Sequence, residues 1–196
     1  MSAQHSQENT YTLPQERTSS REHSTSATIA QEESTQPALS VVAAQECHLS
    51  SLKELAQQHK HELGFVNREI LRKAIQARSV LVVPVGEEEP ALLAGMVHFY
   101  IRHDNVVALY SIAVAEAYRR RGIGRLLFNK LVDITRESGK TQIRLKCPAD
   151  LPANLFYRRL GLELLTVEPG KRRPLNVWVH AVESEPPPKT SGEREE

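Results

Sequence analysis

Cysteine is scarce in this chain. Two occur among 196 residues, Cys47 and Cys147, too few for a disulfide framework or a zinc ligand set, and no metal is expected. Aromatic residues make up 5% of the chain, and no nucleic-acid recognition motif accompanies them, so no nucleic-acid partner is expected. Long apolar runs are missing: none approaches the roughly 18 residues of a membrane span. The opening residues, MSAQHSQENT, hold neither a basic n-region nor an apolar stretch. We therefore expect no signal peptide and a cytoplasmic protein without membrane contact. A net charge of one sign is also lacking, with 25 Lys and Arg against 24 Asp and Glu.

That balance conceals an uneven distribution. Residues 1–40 carry five acids and two bases, and residues 183–196 do the same, a net of −3 in each. The whole chain is +1, so the body between is about +7 and favours anionic ligands. Residues 1–38 are rich in Ser, Thr, Gln and Glu. They bury too little apolar surface to offset ordering entropy and are expected to form a disordered tail. The acidic segment 183–196, with Pro186-Pro187-Pro188, is read the same way. One domain remains, residues 41–182, long enough for a packed core.

Hydrophobic periodicity divides that body into elements. We read an edge strand at 41–44 and a helix at 49–59, with Ser50 or Ser51 as cap. A second helix follows at 67–77, with Ile70, Leu71, Ala74 and Ile75 on one side, then a β-branched strand at 79–85 and an acidic turn at 86–90. Strands at 91–101 and 105–114 are close enough in sequence to form an antiparallel hairpin. A polar loop, 115–121, leads into the clearest helix, 122–138. There Ile123, Leu127, Leu131 and Ile134 recur at helical spacing, and Gly139 supplies the stop. A strand at 141–147, a helix at 151–160 and strands at 162–168 and 175–182 complete the order. The pattern predicts a mixed α/β fold: a mostly antiparallel twisted sheet of about six or seven strands flanked by about four helices.

The most informative stretch is the entry to helix 122–138. A helix start leaves backbone N–H groups without partners and carries partial positive charge. Gly122 and Gly124 let an anion approach those groups, while Arg119, Arg120, Arg121 and Arg125 surround them with full charges. This composition predicts a polyphosphate cradle. It is not a P-loop, because Arg125-Leu126 follows Gly124 where Lys-Ser/Thr is needed. Nor is it a dinucleotide fingerprint, whose third small residue is replaced by Leu127.

The run Arg119-Arg120-Arg121-Gly122-Ile123-Gly124 resembles the pyrophosphate signature Gln/Arg-x-x-Gly-x-Gly/Ala of the GNAT superfamily of acetyl-CoA-dependent N-acetyltransferases. About 30 residues later, Ala153-Asn154-Leu155-Phe156-Tyr157-Arg158-Arg159-Leu160-Gly161-Leu162 resembles that family's Ala-x-x-Phe-Tyr-x-x-x-Gly-Phe segment. Ile112-Ala113-Val114 looks like its acetyl-CoA-binding strand end. The resemblance covers about residues 41–182 and implies a GNAT-like fold. It also implies acetyl transfer from acetyl-CoA, as cosubstrate, to an amine of a small molecule or protein. Ile112, Ala113 and Val114 would meet the pantetheine arm, and Arg119 to Arg125, Ile123 included, the pyrophosphate. Tyr157 would protonate the leaving thiolate. Asp150 stands where the family often has Asn near the pantetheine, and Leu162 where it often has Phe.

Other residues admit plainer readings. His98 is a candidate base but reads more readily as a structural histidine; a carboxylate acting through water is the alternative. Ser111 stands on a strand position that reaches the thioester region. Cys147 lacks any triad signature and reads as a small buried hydrophobe, and Trp178 as core. The turn Lys171-Arg172-Arg173 is either solvated or meets an acidic substrate or the CoA 3′-phosphate. Residues 57–77 and 168–174 form the acceptor half, where Glu62, Arg68, Glu69 and Arg72 are charged without forming a motif. A non-catalytic acyl-CoA-binding module of the same fold is the alternative function. Monomer and homodimer are both compatible with the sequence.

Overall fold

The computed structural model describes residues 39–64, 66–86 and 90–183. The expected tail at 1–38, all but Glu183 of the expected tail at 183–196, and residues 87–89 of the acidic turn at 86–90 lie outside the described residues. Seven strands form one sheet: β1 (Val42–Ala43), β2 (Val80–Val85), β3 (Leu92–Ile101), β4 (Val106–Val114), β5 (Gln142–Pro148), β6 (Glu163–Glu168) and β7 (Leu175–Ala181). Their spatial order is β1-β2-β3-β4-β5-β7-β6, antiparallel throughout except for the central parallel pair β4–β5. Five helices accompany it among the described residues: α1 (Leu49–Gln58), α2 (Lys60–Leu63), α3 (Arg68–Gln76), α4 (Ile123–Glu137) and α5 (Ala153–Arg159).

The sheet has a core on each face. On one face α4 and α5 bury Ile123, Leu127, Leu131 and Tyr157 against Val97, Phe99, Val107, Leu109, Ile143 and Leu145. On the other, α1 and α3 bury Leu49, Leu52, Leu55, Leu71 and Ile75 against Val80, Val82 and Met96. Each such side chain contributes about 1.5–3 kcal/mol by leaving water. The alternation of strand side chains between the two clusters is the period-2 rule of a sheet covered on both faces.

Two local details shape the middle of the sheet. Gly95 on β3 is where α4 comes closest: a Cβ there would lie 3.0 Å from the Ala113 carbonyl oxygen and from the side chains of Ile123 and Leu127. The missing side chain lets the first turn of α4 settle against the sheet beside the end of β4. Tyr110 is the second detail. His98 pairs with Ser111 but Phe99 with Leu109, so Tyr110 is an extra residue, a β-bulge in the middle of β4.

Several expectations are corrected. Neither Ser50 nor Ser51 caps α1: a 3₁₀ turn, Glu46–His48, feeds the chain in, and His48 is the N-cap. Ile70 is 44% exposed, and α3 buries only Leu71, Ala74 and Ile75. Its N-cap is Asn67, whose side chain accepts from the Glu69 N–H at 2.8 Å. The loop 115–121 contains a 3₁₀ turn, Glu116–Tyr118. The turn α2 was not anticipated, because four residues are too few to show a helical period.

Candidate active site

β4 and β5 part company early. They pair only from Val106–Gln142 to Ala108–Arg144, and beyond that point the outer edge of β4 has no strand beside it. The alternation of an antiparallel pair fixes which groups face that gap. Ala115 N–H donates to the Ala94 carbonyl across β3 at 2.9 Å, so Ala113 and Ala115 face β3. Ile112 and Val114 therefore turn their N–H and C=O groups outward. The Val114 carbonyl indeed accepts from Arg119 Nε at 3.5 Å.

The gap leads to the start of α4. Arg120 (φ 64) and Gly122 (φ 80) both adopt the left-handed region, which costs a residue with a side chain about 1–2 kcal/mol. The first ladder bond of the helix is Leu126 N–H to the Gly122 carbonyl, at 2.9 Å, so the amides before it have no helical carbonyl below them. Gly124 is packed on its other side. A Cβ there would lie 2.9 Å from the Phe156 ring, so a side chain would push α5 off the cradle.

α5 builds the opposite wall. One groove of about 530 Å³ is lined by Ile112, Ala113 and Val114, by Arg119, Arg120, Gly122, Ile123, Gly124 and Arg125, and by Phe156 and Tyr157, with His59 and Glu62 at its edge. Asn154 fastens α5 in place. Its amide donates to the carbonyls of Pro148 and Leu151, both at 2.8 Å, and its oxygen accepts from Asn176 Nδ2 at 3.0 Å and Trp178 Nε1 at 2.9 Å. Trp178 is core as expected, with its polar edge satisfied through this contact. The binding role of Asn154 toward α5 was missed, because a single Asn in a helical segment carries no spacing signal.

Tyr157 is 8% exposed, and its ring lies among Phe156 and Trp178 with centroids 5.5 and 6.5 Å away. Burial, then the neighbouring Cys147 and Glu62, push the phenol's pKa well above its ordinary value, so it stays protonated. Burial also pushes the Cys147 thiol up to about 11, which keeps it an uncharged thiol and a poor nucleophile.

Not every expected residue lines the groove. The Arg121 guanidinium lies 5.3 Å from the Tyr118 ring centroid and is absent from the lining. The Asp150 carboxylate is held by Arg173 Nη1 at 2.9 Å and likewise stands apart. This pair also engages the basic turn 171–173. His98 and Ser111 face each other across β3 and β4 outside the groove. His98 is 2% exposed beside Tyr100 and Tyr110, its Nε2 has no hydrogen-bond partner, and burial lowers its pKa to about 4. A ring so placed is uncharged at neutral pH and does not reach the groove. His59 and Glu62, which do reach it, sit in a polar stretch whose charges formed no readable motif.

Among the described residues no group of three or more His, Cys, Asp and Glu gathers as for a metal, and no helix is long and apolar enough to cross a membrane. The fold is shared with enzymes of known structure. The ribosomal-protein-S18-alanine N-acetyltransferase of Escherichia coli superposes with a TM-score of 0.60 at 16% identity, over 76% of this chain and 97% of that one. N-acetylglutamate synthase of Neisseria gonorrhoeae, solved with coenzyme A and N-acetyl-glutamate, gives 0.63 at 14% identity, over 74% of this chain and 35% of that one. In sequence, the chain is 33% identical over 98 residues to a thialysine N-epsilon-acetyltransferase of Caenorhabditis elegans. That match covers 46% of this chain and 59% of the relative, so the chain spans about three-fifths of its length. Residues 43–162 match the acetyltransferase (GNAT) family over most of the domain, and the chain belongs to that family.

Proposed function

We propose that this protein is an N-acetyltransferase that carries the acetyl group of acetyl-CoA to a primary amine by direct attack in a ternary complex. One observation carries the reading: a single groove joins an arginine-rich helix start, an unpaired strand edge and a buried phenol. These are the parts that a diphosphate, an amide-bearing arm and a thiolate leaving group each require. Gly124 supports the fit, since a Cβ there would meet the Phe156 ring at 2.9 Å, so its absence lets α5 close the groove against α4.

Each part has a separate task. Arg120, Arg125 and the amides at the start of α4 would hold the diphosphate through charge and donated hydrogen bonds. Ile112 and Val114 would pair with the amides of the pantetheine arm as an added strand does. Acetyl-CoA supplies an activated carbonyl and a thiol leaving group, so no covalent intermediate on the protein is needed, and Cys147 remains a bystander. Tyr157 would give its hydroxyl proton to the departing sulfur. The high pKa of the phenol is no obstacle. It keeps the proton on Tyr157 until the basic thiolate forms beside it.

The curated relative, a thialysine N-epsilon-acetyltransferase, directs the choice of acceptor toward a small amine bearing an aminoethyl arm. The test is acetyl-CoA binding by calorimetry, followed by thiol release with a panel of amines starting from thialysine, lysine and short polyamines. Binding with turnover of at least one amine is expected. No heat at millimolar acetyl-CoA would overturn the reading, and tight binding with no turnover of any amine would turn it into that of an acyl-CoA-binding module.

A further inference from the structure

We propose that Glu62 is the general base of the transfer, taking the proton of the incoming ammonium through one water, and that His59 is the residue that positions it; this rests on the acetyl-transfer reading above. Among the described residues that line the groove, Glu62 is the one carboxylate and His59 the one imidazole. Local chain geometry brings them there. α1 ends at His59, and the single turn α2 follows, closed by Gly64 at φ 77. Three residues of helical turn bring the two side chains together, His59 Nδ1 lying 3.2 Å from Glu62 Oε2. The imidazole is 7% exposed and the carboxylate 49%, so the ring is held by its surroundings while the acid remains open to water and substrate.

The same nitrogen of His59 has a second neighbour, Arg119 Nη2, at 3.4 Å. One nitrogen cannot donate to a carboxylate and accept from a guanidinium at once. The Nδ1–H tautomer serves Glu62 and leaves Arg119 free for the diphosphate. The charged and titratable groups around Glu62 are Arg119 and Glu116 on the loop after β4, His59 and His61 beside it, and Tyr157, Arg159 and the Cys147 thiol on α5 and β5.

The protons balance. The ammonium gives one proton through the water to Glu62, and the neutral nitrogen forms the C–N bond as the C–S bond breaks. The sulfur takes the Tyr157 proton, the remaining surplus nitrogen proton returns to the Tyr157 oxygen, and Glu62 releases its own to solvent.

Three measurements decide it, using the full chain and the best amine of the panel. Glu62→Gln is expected to lower kcat about 100-fold at neutral pH with the acetyl-CoA Kd within about threefold. The deficit should shrink about tenfold per pH unit toward the amine's pKa, as free amine replaces the need for a base. His59→Ala is expected to lose about tenfold in kcat, and His59→Asn, whose amide stands in for Nδ1–H, to recover most of it. Nitrogen NMR of the unliganded protein should find His59 as the Nδ1–H tautomer. Turnover by Glu62→Gln within threefold of wild type, with an unchanged pH profile, would remove Glu62 from the role. A loss confined to acetyl-CoA affinity would do the same. An Nε2–H tautomer removes His59. If Glu62→Gln does not fold, Glu62→Asp decides, since a surviving carboxylate must keep the wild-type pH profile at reduced kcat, and a profile shifted like that of uncatalysed amine attack counts against the proposal. No turnover by the wild type with any amine fails the transferase reading itself, a result distinct from turnover that ignores Glu62.

Discussion

Along its inner edge β4 is paired with β3 from Ile101–Val107 to Gly95–Val114, whereas its outer edge meets β5 at three positions and then stands alone. Both edges belong to one strand of similar side chains, so composition does not separate them. The inner edge is sealed because β3 and β4 are a hairpin with a four-residue connection and a shared core. The outer edge is open because the chain leaves it for α4 and returns in β5 only far enough to pair at the strand starts. The bulge at Tyr110 lies just past the last paired residue, where a local increase of twist turns the strand end away. The difference teaches that the groove is made by sheet hydrogen bonding that stops, and that its walls are ordinary helices.

Lesions on the two edges should therefore fail differently. The largest effect is expected from Gly124→Val on the open side. Its branched side chain would occupy the space of the Phe156 ring, 2.9 Å from the Cβ site, and acetyl-CoA affinity should fall about 100-fold or more, measured by calorimetry. Tyr157→Phe keeps the ring packed and removes only the hydroxyl. We expect kcat to fall about 100-fold with Kd for acetyl-CoA unchanged. Because burial raises the phenol's pKa, the wild-type rate should show no alkaline limb from Tyr157 below pH 10. Unchanged turnover in the variant would remove the proton donor from the scheme.

On the sealed side, Gly95→Val should cost stability first. Its Cβ would lie 3.0 Å from Ala113, Ile123 and Leu127, an overpacking of about 1–3 kcal/mol in urea denaturation. Retained affinity in whatever fraction folds would sharpen the contrast with Gly124→Val. The smallest effect is expected from Arg121→Ala. Its guanidinium lies over the Tyr118 ring and is not part of the groove lining, so acetyl-CoA affinity should change less than about threefold, against about tenfold for Arg125→Ala. Equal losses from the two would place Arg121 back in the cradle.

Much of this was legible in local pattern. The stripe Ile123, Leu127, Leu131 announced α4, Gly139 (φ 66) its end, and the hairpin β3–β4 followed from its short connection. The run Arg119 to Arg125 announced the glycine-arginine start of α4 that lines the groove, because helix starts and glycines act through neighbours a few residues away. The four-residue turn α2 was not legible, being shorter than one hydrophobic period. Ile70 misled because helical spacing marks a stripe but not its width: α3 lies against α1 and buries Leu71, Ala74 and Ile75, leaving Ile70 outside. The Asp150 carboxylate and the Arg121 guanidinium are absent from the groove lining, because proximity in sequence to a groove is not direction into it. Arg173 holds the first, and the second lies over the Tyr118 ring.

By itself, the sequence determined which of the longer segments are helix or strand, the positive body, and the glycine-arginine helix start, since each rests on side-chain period or backbone chemistry within a few residues. Only the tertiary structure decided that β7 inserts between β5 and β6, that β4 parts from β5 after Ala108, and that Glu62 meets the same groove as Tyr157, 95 positions away. Those outcomes depend on which surfaces bury each other across long stretches of chain, and no local pattern carries that information.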